Sequence, residues 1–148
     1  MFKPLAVALL ALPLLVACGE PEDTHPGQPV THRRQAFREL LKTSEPIGVM
    51  LRTKAYDATK YQQLLADFMA KREAPWQYFG ADTLYPPSRA RPEIWSQPEA
   101  FEAAKKEFLD ASWELSQLGA DPGRDRALAA YRKVEDTCER CHTAFKNK

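Results

Sequence analysis

The chain has 148 residues, 44% hydrophobic and 28% charged, which is enough for one ordinary globular domain and not for several. Lys plus Arg number 21 against 20 for Asp plus Glu, and this near-neutral balance excludes a basic field for nucleic acid and an acidic sequestering tail. Three cysteines are too few for a disulfide scaffold or a ligand-rich metal cluster, and twelve prolines against six glycines point to ordered connections.

Residues 1–17 read as a signal peptide. Lys3 is the only charge before Glu20, and Leu5 to Ala17 is a run of thirteen apolar or proline residues. A bilayer span needs about twenty residues, so the run is a signal core rather than a transmembrane helix. It ends in Leu15-Val16-Ala17-Cys18. That resembles a bacterial lipoprotein signal, in which the cysteine is lipidated and becomes the new N-terminus. Ordinary cleavage prefers small residues at the first and third positions before the cut, and Leu15 fits that poorly. A lipid on Cys18 would tie the remaining 131 residues to the periplasmic side of a membrane. Gly19 lacks the aspartate that commonly retains such proteins at the inner membrane, which leans toward the outer one. Residues 18–30 are polar and proline-rich and read as a tether, leaving 31–148 as the folded domain.

Helical spacing recurs four times in that domain, and no two-residue alternation competes with it. The first segment runs from about Thr31 to Thr53, with Pro46 expected to kink or break it. A second follows Asp57 with a stripe of Tyr61, Leu64, Leu65, Phe68 and Met69. The connection from about Ala74 to Trp95 is unusually long and holds Trp76, Tyr78, Phe79, Tyr85 and Trp95, so it should pack back onto the helices. In the third segment Phe101, Ala104, Phe108, Ala111, Leu115 and Leu118 form a bundle seam. Ser96-x-x-Glu99 reads as its capping box and Gly119 as its stop. The fourth follows Asp121-Pro122, read as cap and first position, and puts Leu128, Tyr131, Val134, Cys138, Cys141 and Phe145 on one face. Short links between the first and second and between the third and fourth favour antiparallel neighbours, hence an all-α four-helix bundle.

Cys138-Glu139-Arg140-Cys141-His142 is C-x-x-C-H, the attachment signature of c-type haem. On a helix positions 138, 141 and 142 project to one side, so two thiols can add to the two vinyl groups of one porphyrin while the imidazole ligates iron from below. A structural zinc site would need four ligands, and His25 and His32 are far away in sequence. A thioredoxin-like C-x-x-C would open a helix in a βαβ setting, which is absent here.

A four-helix pattern with C-x-x-C-H near its end resembles the cytochrome c prime family over roughly 31–148. Tyr56-Asp57, Pro75-Trp76-Gln77-Tyr78-Phe79-Gly80 and Ala90-Arg91-Pro92-Glu93-Ile94-Trp95 match further family stretches. The resemblance implies an antiparallel up-down-up-down bundle, often a two-fold dimer through the first two helices. It also implies one covalent haem c on the last helix, held by Cys138 and Cys141 with His142 as axial ligand. The iron is usually five-coordinate, binds nitric oxide and in some cases carbon monoxide, and is linked to electron transfer with a redox partner. The residue covering the open side lies four positions after an arginine near the first helix start, which gives Phe37 or Arg38. Phe37 shares a face with Leu40, Leu41 and Ser44, so it is the choice, with Arg33 near a haem propionate and Trp76 and Phe79 narrowing the same pocket. Phenylalanine offers iron no lone pair and a ligand no hydrogen bond, which favours nitric oxide over dioxygen. The family arginine four residues after the axial histidine is Lys146 here, and Phe145 stands for a frequent tyrosine; lysine keeps the charge and loses the planar fork.

A six-coordinate, low-spin electron carrier is the alternative, and it needs a sixth ligand from His32, Met50, Met69 or a lysine. A haem-free surface lipoprotein is the third reading. The sequence shows no enzyme constellation: no G-x-S-x-G elbow and no glycine-rich phosphate loop.

Overall fold

The computed structural model describes residues 21–53 and 55–148, so the signal segment and Cys18 lie outside the described residues. Four long helices, α1 (Pro29–Arg52), α2 (Ala58–Lys71), α4 (Pro98–Ser116) and α5 (Arg124–Phe145), are joined by a 3-10 turn (Trp76–Tyr78) and the single turn α3 (Glu93–Ser96). Around the bundle α1 packs on α2 and α5, and α4 packs on α5 and α2. This is the four-helix bundle expected from the spacing. Among the described residues there is no strand, only an isolated antiparallel bridge between Ala90 and Lys146, and no helix is long and apolar enough to cross a membrane.

The apolar stripes become the core. Leu40, Ile47 and Leu51 of α1, Tyr61, Leu65 and Phe68 of α2, Phe108 and Leu115 of α4, and Ala127, Tyr131 and Val134 of α5 form one buried cluster. A second, smaller cluster of Ile94, Phe101 and Phe145 sits where α3 meets the start of α4 and the end of α5. Trp76 packs against both. The α1 N-terminus, the 75–92 connection and the α5 C-terminus therefore share one end of the bundle, called the loop end below.

Helix ends depart from the sequence reading in four places. α1 starts at Pro29, two residues early, because proline suits the first helical position and Val30 is fully buried. Its first-turn donors are capped by a residue of the segment read as tether: Asp23 accepts from the Val30 and Thr31 amides at 3.0 Å each. From Asp23 onward, then, the chain is docked on the domain. Pro46 does not break α1, which runs through it. Pro46 itself is exposed, while buried Ile47 and Leu51 hold the helix to the core and the Tyr131 hydroxyl donates to the Ser44 carbonyl at 2.8 Å. The Ser96 capping box does not form. Ser96 closes α3, and Gln97, kept out of helical geometry ahead of Pro98, precedes α4. α5 begins at Arg124 rather than Pro122, since Asp121 turns the chain by accepting from the Gly123 amide and also from the Tyr56 hydroxyl. Asp57 caps α2 as expected, accepting from the Lys60 amide at 2.6 Å.

Candidate functional site

The end of α5 carries the chemistry. The helix is unbroken through Phe145, so Cys138, Cys141 and His142 lie on one side of its last two turns. Cys138 is part-buried against the main core and Cys141 against the Ile94–Phe101–Phe145 cluster, so the thiols straddle the seam between the two. They form no disulfide with each other. Burial pushes the Cys138 thiol up, and burial reinforced by Cys138 pushes Cys141 up to about 11, so both stay protonated at neutral pH. His142 is exposed, yet partial desolvation and the nearby Lys146 ammonium hold it below the ordinary imidazole value. The neutral ring, with a lone pair to donate, is favoured. Lys146 caps α5, its amide donating to the His142 carbonyl at 3.1 Å, and its exposed side chain lies beside that ring.

Phe37, Trp76 and Phe79 come together. Phe37 meets Trp76 edge-on at 5.6 Å between centroids and Phe79 at 6.2 Å, and Trp76 and Phe79 stack at 6.3 Å. Arg38, the other candidate for the covering position, is exposed. Phe101 closes the aromatic wall, 4.9 Å from Phe79 and 5.4 Å from Phe145. The Trp76 indole N–H donates to the Arg72 carbonyl at 2.9 Å, so it is engaged within the protein.

Arg33 lies one turn before Phe37 and is 4% exposed. It donates to the Tyr78 carbonyl, to the Thr83 hydroxyl and carbonyl, and to the Ser88 hydroxyl at 2.7–3.2 Å, and its guanidinium covers the Phe79 ring at 4.6 Å. Desolvation lowers its pKa, partly opposed by Tyr85 and the Asp23 carboxylate, while the groups it hydrogen-bonds are neutral. Nothing in the sequence pattern points to Thr83 and Ser88, which lie in a connection without periodicity. The five connection aromatics do fold back, as expected: Tyr85 donates to Asp23 and the Trp95 indole to the Gly80 carbonyl.

The rival iron ligands are placed differently. His32 is exposed, stacks on Tyr78 at 5.6 Å, and sits about 140° around α1 from Phe37. Met50 and Met69 pack against the main core.

A family model described as cytochrome C' matches residues 28–146. The chain belongs to the cytochrome c prime family. A curated cytochrome c prime from Alcaligenes xylosoxydans xylosoxydans is 31% identical over 124 residues, covering 83% of this chain and 96% of the relative. The nitric oxide complex of a single-residue variant of cytochrome c prime from Alcaligenes xylosoxidans superposes with a TM-score of 0.77 at 29% identity, covering 86% of this chain and 100% of that one. A carbon monoxide-bound variant from the same organism gives the same TM-score, identity and coverage.

Cytochromes c prime carry one covalently attached c-type haem. This site fits that group: two part-buried thiols a turn apart, an imidazole held toward its neutral form beside them, and an aromatic wall.

Proposed function

We propose that this chain is a lipid-anchored haem protein on the periplasmic side of a bacterial membrane, whose open iron position takes nitric oxide and, less readily, carbon monoxide. The observation that carries the proposal is the Phe37–Trp76–Phe79 wall, which presents rings rather than ligating atoms. Cys138 and Cys141 would hold the haem by thioether bonds, and His142 would ligate its iron. When bound, the group supplies the iron that takes the gas. The residues then decide what is taken. Phe37 has no lone pair with which to close the sixth position, and Trp76 has committed its indole N–H to Arg72, so dioxygen, which needs a donor, gains nothing. The bulk of Phe37 disfavours carbon monoxide. Arg33, fixed by the 78–88 connection, is the propionate partner, and Lys146 lies on the histidine side. Leu41 and Val49, 54% and 58% exposed on α1, are the face for a homodimer.

Two gels test the attachment points. Haem-dependent peroxidase staining after denaturing electrophoresis should persist in the wild type and vanish in the double variant Cys138→Ser/Cys141→Ser. Labelled palmitate should enter the wild type and not Cys18→Ser. Staining that survives loss of both thiols, or palmitate retained without Cys18, would refute the respective assignment.

A further inference from the structure

We infer that the loop end of the bundle is its bilayer-facing surface, held there because the chain is locked to the domain within five residues of the lipid. This rests on the lipidation of Cys18 proposed above. The lock is Asp23, 1% exposed, whose carboxylate accepts from the amides of His25, Val30 and Thr31 and from the Tyr85 hydroxyl, all at 3.0–3.1 Å. His25 stacks on the Tyr85 ring at 3.3 Å between centroids. The segment is thus fastened at once to the α1 N-terminus, where Gln28 gives no side-chain cap, and to the connection between α2 and α3. Burial opposes the Asp23 charge, and its hydrogen bonds from Thr31, His25, Tyr85 and Val30 outweigh that, so the lock holds its charge at neutral pH.

Covalent reach then limits the geometry. Five residue-to-residue steps separate Cys18 from Asp23, at most about 18 Å of extended chain. The 24-residue α1 alone is about 36 Å long. An anchor this short, leaving a locked end, keeps that end against the headgroups. The end is suited to such a surface. Leu84 is 41% exposed there, and Arg89, Lys146 and Lys148 are exposed beside it, brought together by the Ala90–Lys146 bridge and the Asn147 amide donating to the Arg89 carbonyl. Exposed Lys71 adds to these cations and exposed Glu22, Glu73, Asp82 and Glu99 oppose them, so the charge of this end is mixed, and what meets anionic headgroups is the local Arg89–Lys146–Lys148 cluster beside Leu84.

The haem on the last turns of α5 reports on this directly, because it quenches nearby fluorophores. The lipidated holoprotein is reconstituted into phosphatidylethanolamine–phosphatidylglycerol vesicles with a trace of headgroup-labelled lipid. It is compared with a form carrying sixteen Gly/Ser residues inserted between Glu20 and Pro21, outside the docked segment, and with Asp23→Ala. Wild-type quenching should be at least twice that of the insertion form, with Asp23→Ala close to the latter. Protein that sediments with the vesicles but quenches no better than the insertion form overturns the orientation alone. Protein that stays in the supernatant overturns the orientation together with the lipid anchor.

Discussion

In the proposed function Phe37 decides what the pocket admits, and it can be changed without touching the thiols or the imidazole. Phe37→Ala should raise the carbon monoxide association rate roughly tenfold, a barrier change of about 1.4 kcal/mol, as read by flash photolysis. Because Phe37 is only part-buried, its stability cost should be about 1–3 kcal/mol, below the usual cost of truncating a core phenylalanine. An unchanged rate would mean that another side chain guards the iron. Arg33 makes a second residue-scale test. Arg33→Met leaves the Thr83 and Ser88 acceptors without their donor and should cost about 2–4 kcal/mol in urea unfolding, with Arg33→Lys rescuing only part, since the ammonium lacks the fork that serves four bonds. The C-x-x-C-H motif was legible from its spacing, and the grouping of Phe37 with Trp76 and Phe79 was legible from the family resemblance together with the helix face that separates Phe37 from Arg38. The partners of Arg33 were not, because Thr83 and Ser88 are reached by tertiary folding of an aperiodic segment.

At the level of the helices, α1 bends two rules that its sequence announces. Pro46 sits inside it without ending it, so the backbone hydrogen bond that proline cannot donate remains as a standing cost. Pro46→Ala should stabilise the protein by about 1–2 kcal/mol in chemical denaturation, part of the gain being offset by the looser unfolded chain. Gly48 shows the opposite constraint. A methyl group there would lie 2.9 Å from the Tyr131 ring, which is pinned by its bond to the Ser44 carbonyl, and 2.5 Å from the Arg52 guanidinium. The arginine can swing away and the ring cannot, so Gly48→Ala should cost about 1–3 kcal/mol by forcing α1 from α5. The four helices were readable because their apolar stripes repeat. Their ends were less so: Ser96 and Asp121 have the chemistry of caps, but Pro98 and Tyr56 redirect them.

For the whole molecule, the segment from Asp23 to Val30 makes the domain longer than its helical pattern. An aspartate seven residues before its amide partner gives no periodic signal, and its role appears only once α1 and Tyr85 are in place. The Asp23 carboxyl is held below its ordinary 3.8 in the folded chain, so its stabilising effect is complete above that pH and is lost as acid protonates it. The stability gap between wild type and Asp23→Asn should therefore be full at neutral pH and close below pH 3.8 in urea titrations; a gap independent of pH would mean the charge is not what holds the segment. The proposed open iron position is tested most directly by the absorption spectrum of the ferrous holoprotein, before and after nitric oxide is added. A broad high-spin spectrum that shifts promptly with the gas is expected. Sharp low-spin bands that resist the gas would show a sixth ligand from the protein and contradict the role given to Phe37.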